Sequence, residues 1–193
     1  MRKSIYVILA LLLLCVVFTS VETKAGDNAF NQYVTSKSGN TFVLKDKKLG
    51  PVTIGKPIKN LPKSVSGLYD NYQYKKVEYE DEMDGPWTDE FYIFTLKGKN
   101  VFRATIDEGV VYNIKLLEGS TNIVKTPEGF YVGYSARELF KKKRLQWATD
   151  FMDVYAESSG YIFTVNPNDV TRDVPEKLEH FKVTAKIRSI IYR

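Results

Sequence analysis

Residues 91–117 read FYIFTLKGKNVFRATIDEGVVYNIKLL, in which three apolar and aromatic runs are separated by two short polar segments. Tyrosine, phenylalanine, valine and isoleucine are residues that β-strands favour. Lys97-Gly98-Lys99-Asn100 is typical of a hairpin connection, and Asp107-Glu108-Gly109 is typical of a second turn. The stretch therefore predicts three consecutive antiparallel strands, at 91–96, 101–106 and 110–117.

Shorter strand patterns lie on both sides of this stretch. They cover residues 41–44, 51–54, 72–79, 151–156, 161–165 and 183–191. In the third of them the apolar residues alternate as Tyr72 and Tyr74, and then as Val77 and Tyr79 one position later. A slip of one position in an alternating pattern predicts a β-bulge between Tyr74 and Val77.

Two short helices are predicted between the strands. Asn60-Leu61-Pro62 begins the first, because proline is favoured in an early helical position, and it ends near Ser66-Gly67. Ser135-Ala136-Arg137-Glu138 is a capping box that begins the second, and the basic run 141–144 suits its C-terminal end. The predicted fold class is therefore α+β, an antiparallel sheet with two short helices.

An internal duplication is also predicted. Tyr92-Ile93-Phe94-Thr95 recurs unchanged as Tyr161-Ile162-Phe163-Thr164, and the Gly-flanked apolar segment 50–55 has a counterpart at 129–133. The acidic loop accounts for the longer first copy, since loop tips tolerate insertions. We expect a single α+β domain over 41–193, with half-repeats at about 41–117 and 118–193. The alternative is a meandering sheet whose strands share a composition.

Three features follow one another in the chain: a Gly-flanked apolar segment, a Ser-capped helix with the step Glu138-Leu139, and further strands. This order resembles a repeat of small bacterial envelope proteins. These are the β-lactamase-inhibitor-like proteins and the outer-membrane-assembly lipoproteins of the BamE type. The chain also resembles uncharacterised secreted proteins of the Bacteroidota type. The resemblance spans about residues 45–192. Lys56-Pro57-Ile58 departs from the Ser- or Thr-capped start, so neither inhibition nor barrel assembly is carried over to named residues.

The first 25 residues have the pattern of a secretory signal peptide. Arg2 and Lys3 precede a run of 14 residues without charge, Ile5 to Phe18, which is the length of a signal h-region and short for a membrane span. Small residues at Thr23 and Ala25 predict cleavage after Ala25. The chain is therefore expected to be exported, to the periplasm or the outside, and residues 26–40 to form a flexible lead.

Two rival interpretations of this segment remain open. Cys15 follows a leucine run, as in a lipoprotein, but Leu14 stands where a lipobox requires a small residue. An uncleaved membrane anchor would need a longer run, and Thr19 and Ser20 interrupt it. We therefore expect no stable membrane anchor after cleavage.

The composition limits the classes of partner and cofactor. Cleavage after Ala25 would lower the formal net charge from +5 to +3, which does not favour nucleic acid. The only cysteine, Cys15, lies in the export segment, so the remaining chain has neither disulfides nor thiolate metal sites. The only histidine, His180, has no metal-binding pair at ligand spacing and no nucleophile elbow to serve. We expect no catalytic residues and no cofactor.

The densest polar feature is the acidic stretch 78–84. Its weak candidates for a cation site are Glu80, Asp81, Glu82 and Asp84. Calcium favours oxygen clusters, but the spacing does not fit an EF-hand loop, so a solvated hairpin tip is the favoured interpretation. Trp87 follows this stretch and either folds back onto the core or, with Tyr79, marks a contact surface. Trp147 is expected in the core.

These patterns favour an exported, non-enzymatic binding or scaffold protein of the bacterial cell envelope. Its partner would be another envelope protein, contacted by a sheet face or by the Trp87 loop. The alternative is a secreted hydrolase that uses paired carboxylates, with or without calcium, and it requires a deep pocket lined by at least two acids. A purely structural envelope component is a third possibility that the sequence does not separate from the first.

Overall fold

The structure is a computed structural model that describes residues 37–38, 41–80, 85–143, 145–149 and 153–193. The predicted signal peptide and most of the predicted lead lie outside these residues. A three-stranded sheet has the order β1-β2-β9, in which β2 pairs with β9 in parallel. Its strands are β1 (Lys37–Ser38), β2 (Thr41–Val43) and β9 (Val124–Lys125). A two-stranded sheet consists of β3 (Lys48–Leu49) and β4 (Val52–Thr53).

The dominant element is an eight-stranded antiparallel sheet. Its first four strands in the chain are β5 (Asn71–Tyr79), β6 (Trp87–Leu96), β7 (Lys99–Asp107) and β8 (Val110–Leu116). The other four are β10 (Trp147–Thr149), β11 (Val154–Ser158), β12 (Tyr161–Val165) and β13 (Ile187–Tyr192). The order in the sheet is β10-β11-β12-β13-β8-β7-β6-β5, so β8 and β13 join the two halves, and β10 and β5 lie at the edges.

The tight turns explain why consecutive strands pair. Lys97 and Gly98 between β6 and β7 both have positive φ, at 51° and 75°, and Glu108 and Gly109 between β7 and β8 have 47° and 78°. Positive φ at both central residues is the mark of a type I′ turn, whose twist matches that of the flanking strands. The three strands predicted in residues 91–117 are therefore confirmed, together with their connections.

The core lies between one face of the large sheet and a layer of helix and irregular chain. Phe94, Phe102, Leu116, Ile190 and Phe163 occupy paired positions on β6, β7, β8, β13 and β12 and are all buried. The covering layer contributes Leu44, Leu68, Phe130, Leu139 and Phe181, and Trp147 is buried as expected. No helix among the described residues is long and apolar enough to cross a membrane.

The predicted α+β class is wrong, because the described residues contain one α-helix and are mostly β. This helix, α1 (Ala136–Lys143), begins as predicted, and the Glu138 backbone N–H donates to Ser135 Oγ at 3.4 Å. Short 3₁₀ turns occur at Glu118–Ser120, Pro167–Asp169 and Leu178–His180.

The helix predicted from Asn60 does not form. Val65 instead pairs with Tyr69 in an isolated antiparallel bridge, and the Tyr69 hydroxyl donates to the Pro62 carbonyl at 2.9 Å. These contacts hold residues 60–69 as an irregular loop around the buried Tyr69 ring. Local helix propensity is overridden here by the burial of one aromatic side chain.

The predicted duplication is wrong as well. Tyr92–Thr95 lies on β6, two strands away from the β8–β13 junction, whereas Tyr161–Thr164 lies on β12, adjacent to that junction. The segment 129–133 forms turns and irregular chain, whereas its supposed counterpart at 50–55 contains β4, and α1 has no counterpart among the described residues of the first half. The identical tetrapeptides share a composition that suits strands, and they do not occupy equivalent positions.

Candidate binding surface on the terminal hairpin

The terminal hairpin, β5 and β6, carries the residues that the sequence singled out for partner binding. All nine residues of β5 pair with β6 in one uninterrupted register, from Asn71 opposite Thr95 to Tyr79 opposite Trp87. The other edge of β5 pairs with no strand in the part of the chain that the structure describes. Among the described residues, the hairpin therefore presents one open edge.

The bulge predicted in β5 is absent, because the register does not shift between Tyr74 and Val77. Since side chains alternate between faces, Tyr72 and Tyr74 lie on the face that carries the core, and Val77 and Tyr79 lie on the outer face. The apolar residues change faces halfway along a regular strand. Bulges occur elsewhere, at Phe94/Thr95, Thr105/Ile106 and Thr164/Val165.

Tyr79 and Trp87 form a stacked pair near the free end of the hairpin. Their ring centroids are 5.2 Å apart with an interplanar angle of 29°, and the two residues are 40% and 48% exposed. The structure places Trp87 at the start of β6 and brings it together with Tyr79 without burying either. Trp87 therefore does not fold back onto the core, which was one of the two alternatives that the sequence left open.

A second cluster lies on the same outer face, closer to the centre of the sheet. The Arg103 guanidinium lies 4.5 Å from the centroid of the Phe91 ring, and Arg103 Nη2 is 3.1 Å from a carboxylate oxygen of Asp89. Phe91 is only 8% exposed. Arg103 thus shields an aromatic ring and keeps part of its hydrogen-bonding capacity at the surface.

Sequence reasoning missed this cluster. Alternation along β6 places Trp87, Asp89 and Phe91 on one face, so the signal was present once the strand had been recognised. What the sequence could not show is that Arg103, on the next strand, reaches across to both Asp89 and Phe91. Arg103 Nε and Thr105 Oγ1 are also buried without a hydrogen-bond partner among the described residues.

The inner face of the hairpin carries a row of aromatic rings that ends in the core. Tyr74 and Tyr92 lie 5.3 Å apart, and Tyr72 lies 5.7 Å from Phe94, which stacks on Phe102 at 4.1 Å. A hydrogen bond with Glu90 raises the pKa of the exposed Tyr74 hydroxyl above its usual value. This row connects the base of the hairpin to the core.

The two adjacent lysines of β5 differ in whether they form an ion pair. Lys76 Nζ is 3.3 Å from Glu90 Oε1, directly opposite on β6. Lys75 lies opposite Phe91, is exposed, and has no ion pair with any described residue. Among the described residues, the middle of the open edge therefore carries one positive charge that is not in an ion pair.

The acidic stretch contributes no cation site in the described structure. Glu80 is exposed at the end of β5, and the other candidates, Asp81, Glu82 and Asp84, lie outside the described residues. Among the described residues, no group of three or more histidine, cysteine, aspartate or glutamate side chains is arranged to hold a metal ion.

The remaining polar candidates are engaged in the fold. His180 is half-buried, and its Nδ1 accepts a hydrogen bond of 3.1 Å from the Glu176 backbone N–H. A groove of about 690 Å³ near the β8–β13 junction is lined by two acids, Glu118 and Asp153, but Asp153 forms an ion pair of 3.1 Å with Arg188. The groove therefore does not present the pair of unengaged carboxylates that the hydrolase alternative requires.

Comparisons with known proteins define the fold class and go no further. No family model matches the chain, and no curated protein matches its sequence. Among solved structures, it is similar to the uncharacterized protein YfeY from Escherichia coli, with a TM-score of 0.52 and 14% sequence identity. The match covers 77% of this chain and 97% of YfeY. At this identity the similarity shows a shared fold, and the resemblance to the envelope repeat proteins stays a prediction.

Proposed function

We propose that this chain is an exported, non-enzymatic binding protein of the bacterial cell envelope, and that the terminal hairpin contacts its protein partner. The observation that carries the proposal is the exposed Tyr79–Trp87 stack at the free end of a hairpin whose base is anchored in the core. Tryptophan and tyrosine dominate the energetics of protein interfaces, because they bury large areas with little loss of conformational entropy.

The outer face of the hairpin extends this contact surface. Val77 lies beside Tyr79 on the same face, and the Arg103–Asp89 pair supplies polar groups at its inner end. An aromatic centre with a polar margin is the usual organisation of a protein–protein interface. The export pattern of residues 1–25 supports the cell envelope as the place of action.

Affinity capture from envelope extract tests the proposal. The full chain, tagged at its C-terminus, should enrich a specific partner, and Trp87→Ala should reduce that enrichment by about tenfold or more. Tyr112→Ala is the matched control, since Tyr112 is 51% exposed on β8 and should leave the enrichment unchanged. Failure to enrich any protein, or equal enrichment by Trp87→Ala, would overturn the proposal.

The export part of the proposal has its own measurement. N-terminal sequencing of the protein recovered from the periplasm or the medium should begin at Gly26. Recovery of the uncleaved chain in the cytoplasm alone would contradict export and leave the binding surface to be tested separately.

A further inference from the structure

The outer edge of β5 is the longest open strand edge that the described residues present. Its nine residues span about 30 Å at roughly 3.3 Å per residue. The N–H and C=O groups along such an edge form a template to which an extended chain can add as a further strand. By contrast, β10 at the other edge of the sheet has three residues.

The side chains along β5 decide which chains can add. Lys75 and Lys76 occupy the middle of the strand, and only Lys76 has a carboxylate opposite it on β6. Lysine on an edge strand opposes pairing with apolar or basic strands, because its charge would have to be neutralised or desolvated. An incoming strand with a carboxylate beside Lys75 would supply the missing counter-charge.

A second copy of this chain meets that requirement only with reduced overlap. In the antiparallel self-pairing with full overlap, Lys75 lies opposite Lys75, and a shift by one position in one direction places Lys75 opposite Lys76. Lys75 lies opposite Glu78 only after a shift by three positions, which reduces the paired length from nine residues to six. Like charges directly opposite each other destabilise a strand pair. The edge therefore disfavours self-association with full overlap, whereas a different protein with acidic residues can pair along all nine residues.

We propose that β5 accepts an extended acidic segment of the partner protein as a ninth strand of the large sheet. This inference rests on the proposed function and identifies the chemistry of its partner. A carboxylate of the incoming strand lies beside Lys75, and an apolar side chain two positions along lies beside Val77, towards the Tyr79–Trp87 stack. Backbone hydrogen bonds hold the segment, and these two contacts set its register.

Hydrogen exchange of the full chain tests the inference with two synthetic peptides. Each peptide has eight residues in total, with threonine and valine alternating on both sides of a central pair. The central pair is two glutamates in one peptide and two lysines in the other. The glutamate peptide should slow amide exchange within Asn71–Tyr79 and bind about two- to fivefold more tightly than the lysine peptide, the effect of opposite rather than like cross-strand charges.

Charge reversal on the edge provides the decisive comparison. Lys75→Glu should invert the preference between the two peptides, whereas Lys63→Glu, at an exposed site outside the sheet, should not. Exchange that slows only outside β5, or a preference that Lys75→Glu leaves unchanged, would overturn strand addition. Trp87→Ala tests partner capture independently of the peptide experiment. If Trp87→Ala loses capture while Lys75→Glu leaves the peptide preference unchanged, the proposed function is retained and strand addition is rejected.

Discussion

The Tyr161 hydroxyl donates a hydrogen bond of 2.6 Å to the backbone carbonyl of Leu44, which precedes it by 117 residues. Tyr161 lies on β12 and is 8% exposed, and its ring stacks on Tyr192 of β13 at 4.4 Å. Leu44 is fully buried and follows β2 of the small sheet. One side chain thus ties the large sheet to the layer that covers it.

Removing that hydroxyl should weaken the attachment of the covering layer. Tyr161→Phe keeps the ring and leaves the buried Leu44 carbonyl without this donor, so the free energy of unfolding should fall by about 0.5–1.5 kcal/mol. Urea denaturation measures the change. Tyr155→Phe, on the neighbouring strand β11, is the control and should remain within about 0.5 kcal/mol of the parent. Equal stability of the parent and Tyr161→Phe would show that the bond contributes nothing net.

The same residue should make stability fall at alkaline pH. Burial raises the pKa of the Tyr161 hydroxyl well above its usual value of about 10. The unfolded chain therefore loses this proton at lower pH than the folded chain, and stability that is fully present below pH 10 declines as the pH rises further. Unfolding free energies between pH 8 and about 11 should show a smaller decline for Tyr161→Phe than for the parent. Parallel curves would contradict this assignment.

The Tyr79–Trp87 stack should be a measurable stabilising contact as well as a binding surface. In a double-mutant cycle of Tyr79→Ala and Trp87→Ala, we expect a coupling free energy of about 0.2–1 kcal/mol, the range for cross-strand pairs. Glu78 and Thr88, also directly opposite on β5 and β6, provide a non-aromatic comparison cycle with a smaller coupling. A coupling of zero for the aromatic pair would mean that the rings stack without stabilising the hairpin.

Gly119 should be intolerant of any side chain. A Cβ built at this position would lie 2.5 Å from the Asn100 carbonyl oxygen, which belongs to the backbone of β7 and cannot rotate away. Gly119→Ala should therefore lower the free energy of unfolding by about 1–3 kcal/mol, the usual cost of overpacking. Glu118→Ala, at an exposed site in the same 3₁₀ turn, should change it by less than about 0.5 kcal/mol. Similar effects of the two changes would contradict the close approach.

The sequence by itself determined the elements whose cause is local. The turns Lys97-Gly98 and Glu108-Gly109 allow the positive φ that a tight hairpin requires, so β6, β7 and β8 could be predicted with their connections. The capping box at Ser135 likewise predicted the start of α1. Exposure of Tyr79 and Trp87 was one of two stated alternatives, since an aromatic residue on a polar stretch is compatible with either burial or contact.

Only the tertiary structure decided how the elements combine. The pairing of β8 with β13 joins residues 114–116 to 190–192, and no local signal encodes a contact over that separation. The expected helix near Asn60 does not form, because this segment instead packs around the buried Tyr69. The repeated tetrapeptide reflects a shared composition and does not mark equivalent positions. The proposed role of Lys75 in strand addition depends on β5 being an edge strand of the sheet. Position within a sheet is fixed by long-range pairing and burial, which local sequence patterns do not contain.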